Sequence, residues 1–409
     1  MKKDVFIPAD ILMPAGVAME KWSVIACDQF SSDRGYWERV REMVNGEPST
    51  LNMIMPEAYL GEIDEAESSE KIRAAMDDYL RRGLFNEVKD SFIYVERKQT
   101  DGHVRRGLVG AVDLEEYDFR SRQASVLASE GTVLDRLPPR TRIRRAARLE
   151  LPHIMAFIND EHFTIVEPLV KKADSLPLLY DFELMEGGGR IRGMRVCGND
   201  AGDVIAAMRA LHEKNGTLMV IGDGNHSLAA AKVCWDELKQ GLDAGERENH
   251  PARFALLEVN NVYDPAINFE AIHRAVFRVN PAEFAAEFEK AMPGGGDYKL
   301  RWTSRGGGGV IGVAADCIGD MLTAVQTFLD DYVQKTGCGV DYIHGEEAVE
   351  ELAKGEGCLG LILPAMDKSE LFGTVTTKGV FPKKSFSVGH ARDKRYYLEC
   401  RDLLFSKEK

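Results

Sequence analysis

The residues best suited to chemistry lie in VIGDGNHSLAAA, positions 220–231. An apolar run (218–221) leads into Gly222-Asp223-Gly224, and a helical pattern starts near Asn225 or His226 and continues through Ala231 and Val233. Two glycines let a chain turn tightly and let a ligand come close. The first turn of a helix offers N–H groups without intrahelical partners at the positive end of the dipole, a ready place for phosphate or carboxylate. Here Asp223 is a candidate Mg²⁺ ligand or proton acceptor. His226 is a candidate phosphate donor or an acid–base group near neutral pH. Gly222, Gly224, Asn225 and Ser227 are the candidate cradle. The same residues also describe a structural junction, with Asn225 as N-cap, Asp223 as a turn residue and His226 as a hydrogen-bonded helix start. The segment is neither a Walker A loop, since it lacks the GKS/T ending, nor a GxGxxG fingerprint.

A second cluster is SEGTVLDRLPPRTRIRRAAR (129–148), which holds Glu130, Asp135 and Arg136, then Arg140, Arg142, Arg144, Arg145 and Arg148. In an acidic chain this is where an anion would be received. For most of these arginines a solvated face paired with nearby Glu is the preferred reading. His344-Gly345-Glu346 lacks a third metal ligand. Cys27 reads as a small buried residue rather than a nucleophile, and Asp28 beside it is a site candidate.

These and other stretches together resemble one family. WSVIACDQF (22–30), PSTLNMIMPEAYL (48–60), ASEGTVLDRLPPR (128–140), ELPHIMAFIND (150–160), IGDGNHSLAAAK (221–232), NFEAIHR (268–274), DYIHGEE (341–347) and FPKKSFSVGHARDKRYYLECR (381–401) resemble the shorter branch of domain-of-unknown-function family 1015. DGNHS is similar to the Asp-Gly-His-His-Arg pattern of the longer branch. That pattern is in turn similar to the helix start of the ParB and sulfiredoxin fold, which also holds free-serine kinases. The resemblance implies a ParB/sulfiredoxin-like core and phosphate contacts by Gly224, Asn225, His226 and Ser227. It also singles out Glu130, Asp135 and Arg136, with Glu130 either a general base or a structural partner of Arg136. Ser227 stands where the relatives have Arg, so a charge-assisted phosphate fork is lost. Lys384, in Pro-Lys-Lys-Ser-Phe, is the expected replacement cation, with Arg136 and Arg140 as further anion contacts. Sulfiredoxin's cysteine has no counterpart here, which disfavours a sulfinic-acid reductase.

The elements that must position these groups are partly legible. Tyr36, Trp37, Val40, Met43 and Val44 form one helical stripe; Ile72, Ala75, Met76, Tyr79 and Leu80 form another, ending in Arg81, Arg82 and Gly83. A third helix, with Val204, Met208 and Leu211, ends at Asn215-Gly216. Residues 92–95 and 107–112 flank Asp101-Gly102 and read as a hairpin with a type I′ turn. Residues 218–221, 254–259 and 359–363 read as strands covered on both faces. The glycine runs 187–189, 294–296 and 306–309 read as loop tips, with one short strand, YKLRWTSR, between the last two. The fold class expected is α+β (mixed α/β), with mixed sheets flanked by helices. A main domain over 1–293 and a C-terminal α+β region over 294–409 are expected, the latter either separate or packed into the same unit.

The 409 residues carry a formal net charge of −14, which argues against generic nucleic-acid binding. Seven cysteines without a CxxC pair argue against a disulfide framework or thiolate zinc site. The N-terminal stretch has no unbroken apolar core and no run spans a bilayer, so a cytoplasmic location without membrane partners is expected. The leading expectation is an enzyme transferring a phosphoryl group between a nucleotide (ATP or ADP, with Mg²⁺) and a small hydroxylated metabolite such as serine. The alternatives are a phosphohydrolase and a non-catalytic nucleotide or metabolite sensor.

Overall fold

Alternation along the strands divides the first core into two faces. On Phe254–Asn261, Ala255, Leu257 and Val259 point into one apolar cluster and Leu256 into another. On Phe85–Lys98, Phe92 and Tyr94 join the first cluster, Ile93 and Val95 the second. Period two is the geometry of a strand, and both faces are apolar because both are covered. Helices Gly198–Asn215 and Asn225–Leu238 cover one face through Val204, Met208, Leu228 and Trp235. Helix Arg34–Val44 covers the other through Tyr36, Trp37, Val40 and Val44, while Met43 is left exposed. Each such side chain, fully buried, contributes about 1.5–3 kcal/mol.

The computed structural model describes residues 3–61, 64–292 and 294–404. They form two compact units. The first comprises Met1–Ala128, Thr132–Ile267 and His390–Lys409; the second comprises Ser129–Gly131 and Asn268–Gly389. The sequence suggested a division near Pro293, a position outside the described residues. The observed units part at Ile267 instead, and the chain re-enters the first unit at His390.

The first unit holds a ten-stranded mixed sheet. Its path runs Val126–Ala128, Met219–Asp223, Met155–Ile158, Phe254–Asn261, Val104–Asp113, Phe85–Lys98, Arg190–Val196 and Leu178–Glu183. Met219–Asp223 is parallel to Val126–Ala128 and antiparallel to Met155–Ile158, which is parallel to Phe254–Asn261. The hairpin 85–113 forms as expected, but its turn differs. Gly102 takes φ +89° while Asp101 keeps negative φ, and the Gln99 carbonyl accepts from the Gly102 N–H. A type I′ turn needs positive φ at both central residues, so this is a longer loop with glycine after the turn.

The second unit is built on a six-stranded antiparallel sheet, in the order Gly307–Val313, Tyr298–Ser304, Cys358–Ile362, Phe269–Phe277, Gly339–His344, with Phe386–Val388 also on Phe269–Phe277. The 306–309 glycine run is not all loop. Gly307, Gly308 and Gly309 lie in a strand, and a Cβ on Gly309 would sit 2.8 Å from the Trp302 indole nitrogen. Together the two sheets and their helices make a mixed α/β protein, as the pattern of elements indicated. No helix among the described residues is long and apolar enough to cross a membrane.

The returning C-terminal segment is woven into the first unit. Leu12 and Cys400 exchange backbone hydrogen bonds of 2.8 and 2.9 Å, and the Tyr397 N–H donates to the Val24 carbonyl at 2.8 Å. Beneath this seam the Arg395 guanidinium contacts both Glu258 and Glu399, and Arg105 Nε donates to Glu258 at 3.3 Å. All four side chains are buried. Burial alone would raise the Glu258 carboxyl, but Arg105, Arg395 and the Asn260 amide outweigh it and hold it at about 2, down from 4.5. A depressed carboxyl stabilises the fold fully above its unfolded value and loses that contribution as pH falls through the folded value. Glu258→Gln leaves two buried arginines undercompensated and is expected to cost about 3–5 kcal/mol. Urea melts at pH 7 read this loss. The wild type is expected to lose the Glu258 contribution between about pH 4.5 and 2, and the difference from the variant shrinks over that window.

Candidate functional site

The segment singled out from the sequence does form strand, turn and helix: strand Met219–Asp223, Gly224 at φ +79°, then helix Asn225–Leu238. The cap is Gly224 itself, in the left-handed region that favours glycine, so Asn225 is the first helical residue rather than the N-cap. Both glycines are required by the protein's own packing. A Cβ on Gly222 would lie 2.1 Å from the Phe157 ring, and one on Gly224 would lie 3.0 Å from the Ile154 Cα. The close approach read as room for a ligand is, at these two positions, filled by the adjacent chain.

His226 faces the chain that enters the arginine-rich helix. Its Nε2 accepts from the Val133 N–H at 3.2 Å, which fixes that nitrogen as an acceptor. Ser227 takes a different partner. Its hydroxyl lies 3.1 Å from Nε2 of His153, and Nδ1 of His153 lies 3.0 Å from the Tyr397 hydroxyl. The Cys27 N–H donates to that same hydroxyl at 3.3 Å. Ser227, His153 and Tyr397 thus form a continuous hydrogen-bonded row, and burial, the largest influence, keeps the imidazole below its ordinary 6.5 despite the pull of Asp28 and Asp223. A neutral imidazole can take a hydroxyl proton on one nitrogen while the other is held in place.

Asp28 lies in this environment. Burial raises its carboxyl, yet His153 when protonated, the Gln29 amide, Lys394 and Arg140 together hold it below the usual range. Asp223 is ion-paired, its Oδ2 3.4 Å from Nζ of the buried Lys394. Lys384, the expected cation, belongs to the second unit and is exposed there; the lysine beside Asp223 is Lys394. Glu130 also belongs to the second unit, where it accepts from the Ser385 N–H at 3.2 Å. Arg136 is exposed. Arg140 pairs with Glu57, Arg142 with Glu65, Arg144 with Glu150, Arg145 with Glu237 and Arg148 with Asp402; only Arg142 and Arg145 lie on the solvated face expected, while Arg140 and Arg144 line a cavity. The Cys27 thiol is pushed up to about 11, chiefly by burial and next by Asp28, and is no thiolate nucleophile.

Among the described residues, no three His, Cys, Asp or Glu side chains converge as a metal cage. Asp223, one carboxylate already bridged to a lysine, fits a Mg²⁺ ion only of the kind that arrives on phosphates and takes one or two carboxylates.

Beside the row lies a cavity of about 150 Å³. Ser227, His153, Tyr397 and Cys27 and the charged side chains of Glu57, Arg140, Arg144 and Glu150 contribute its polar wall, and mostly methionine, leucine and isoleucine side chains the rest. His153, Tyr397 and Lys394 were not singled out from the sequence. His153 follows Pro152 in a loop, with no periodic signal to mark it.

A helix start flanked by an Asp–Lys pair and a small lined cavity thus stand in a chain of mixed α/β build. The chain belongs to the family described as Protein of unknown function (DUF1015), whose model matches residues 11–399. No curated protein matches the sequence. Among solved structures it is similar to SbnI with a C-terminal truncation from Staphylococcus aureus, at 9% identity over 69% of this chain and 82% of that one, with a TM-score of 0.38. It is similar to a conserved hypothetical protein from Pyrococcus furiosus at 13% identity, over 72% and 94%, with a TM-score of 0.35. It is also similar to a free serine kinase in complex with AMP at 13% identity, over 73% and 92%, with a TM-score of 0.37.

Two outcomes test this geometry. Gly224→Ala forces a side chain into the left-handed region and is expected to cost about 1–2 kcal/mol in a denaturation melt. A histidine whose folded value is lowered leaves stability untouched above its unfolded value and subtracts from it as pH falls below. The melting temperature is therefore expected to drop as pH goes down from 6.5, and the drop to be shallower in His153→Gln.

Proposed function

We propose that the first unit is a small-molecule phosphotransferase, moving a phosphoryl group from a nucleotide to a hydroxyl seated in the cavity. The observation that carries this reading is the Ser227–His153 pair on the cavity wall, with the Asp223–Lys394 pair at the start of the same helix. Phosphoryl transfer needs positioned cations and helix-start N–H groups more than a special nucleophile. Lys394 supplies the cation that Ser227, standing in place of Arg, does not. The likeness of DGNHS to the phosphate-binding pattern supports the same end of the helix as the phosphate side.

In the step proposed, the acceptor hydroxyl gives its proton toward His153 Nε2 through Ser227. Its oxygen forms a bond to the terminal phosphorus, and the bond from that phosphorus to the bridging oxygen breaks, releasing the shortened nucleotide. Mg²⁺ carried on the phosphates would neutralise charge there, with Asp223 as its one protein carboxylate. At about 150 Å³ the cavity is smaller than the roughly 300–1,000 Å³ of sites for drug-sized ligands. It suits the acceptor, and the nucleotide lies outside it. Asp223, Lys394 and His153 are the residues assigned to transfer, and His226 the one that positions the loop at Val133.

Thermal unfolding against ATP, ADP, CTP, pyrophosphate and phosphate, with and without Mg²⁺, tests the reading. A ligand that binds only the folded state raises the midpoint. A Mg²⁺-dependent rise for ATP or ADP, lost in Lys394→Met and reduced in His226→Ala, is expected. No rise with any phosphate compound rejects phosphotransfer, and nucleotide consumed without an acceptor marks a hydrolase.

A further inference from the structure

We infer that the cavity takes an uncharged alcohol with an apolar body about the size of benzene. This rests on the phosphotransfer reading for the fate of the hydroxyl, though not for binding itself.

Three observations converge on that class. The first is size. A cavity of about 150 Å³ is the volume that, lined by aliphatic and aromatic side chains, stays dry and accepts benzene. The second is the wall. Met53, Met76, Leu149, Ile154 and Leu256 line the cavity and are all buried. A zwitterion such as serine would give up hydration on both charges against these side chains, a transfer that is costly without compensating partners.

The third is how the lining charges are used. Arg140 is joined to Glu57, and its Nη1 also donates to the Arg136 carbonyl at 2.8 Å. Arg144 is joined to Glu150 at 2.7 Å, and Glu150 also holds Arg401 at 3.0 Å. Each charged side chain of the wall thus already has an ion-pair partner, so a carboxylate or an ammonium would have to compete with a formed pair. Of the neutral polar groups on the wall, His153 has both nitrogens engaged and the Tyr397 hydroxyl takes two partners, while the Ser227 hydroxyl is shown with one. A hydroxyl has one donor and two acceptor positions, and His153 engages one of the three, so a second hydroxyl can pair with it. An alcohol with its body among the methionines and its hydroxyl at Ser227 satisfies all three conditions.

Calorimetric titration of the full chain with benzyl alcohol, toluene and serine, without nucleotide, tests this. Benzyl alcohol is expected to bind several-fold more tightly than toluene, about the worth of one hydrogen bond, and serine not to bind. Ser227→Ala is expected to keep toluene affinity and lose the preference for the alcohol, and Ala147→Leu, which fills the cavity, to weaken both. If neither apolar compound binds, or if serine binds and they do not, the inference is overturned. Adding Mg²⁺ and ATP and following phosphorus by NMR separates the two claims. Benzyl alcohol bound and never phosphorylated supports the cavity assignment and rejects phosphotransfer. Serine phosphorylated by a protein that binds no benzyl alcohol does the reverse.

Discussion

Arg395 is the residue on which the first unit depends. Its guanidinium is buried between Glu258, on a central strand, and Glu399, on the returning C-terminal segment. Removing such charges from water is costly, and only mutual pairing with further hydrogen bonds makes the arrangement tolerable. Tyr180 adds one of those bonds, its hydroxyl donating to Glu399 at 2.8 Å. Because Arg395 cannot leave without stranding two carboxylates, the segment on either side of it is fixed. That segment carries Lys394 to Asp223 and Tyr397 to His153. The ion network is thus the reason the candidate site has a defined geometry at all.

The site also shows how one stretch of sequence serves packing and chemistry together. Gly222 and Gly224 are glycine because Phe157 and Ile154 press against them. His226 is engaged by a backbone N–H. The polar residue of the motif that faces the cavity is Ser227, whose position on the helix brings it to His153. The neutral state of that imidazole follows from burial in the same apolar surroundings that line the cavity.

What could be read from the sequence follows the range of the interactions. The strand–glycine–helix junction, the hairpin and the three amphipathic helices are set by neighbours a few residues apart, and they are where the pattern put them. The strands read at 254–259 and 359–363 were marked by mostly apolar runs without alternation, and they form at 254–261 and 358–362. The site is another matter. His153 meets Ser227 across 74 positions and Tyr397 across 244, and no local period records such a meeting. Lys384 was expected where Lys394 stands because two lysines ten residues apart look alike without the fold. The glycine run at 306–309 looked like a loop because composition does not reveal that Trp302 lies across it. The turn at Asp101-Gly102 was assigned its type from the dipeptide alone, when loop length decides it.

The division of the chain into units has a consequence for how the molecule comes into being. Asn268 and Gly389 lie side by side, the Gly389 N–H donating to the Asn268 carbonyl at 3.0 Å, so the long segment of the second unit begins and ends at one point, its other segment being the short Ser129–Gly131. A nascent chain emerging from the ribosome has all of the second unit in hand before residues 390–404 are made. The inserted unit can close early, whereas its host must wait. Until Arg395 arrives, Glu258 has only the first of its two arginine partners, Arg105. Vectorial synthesis therefore puts the closing of the host, and the assembly of Lys394 and Tyr397 around the cavity, after the whole of the second unit has been made.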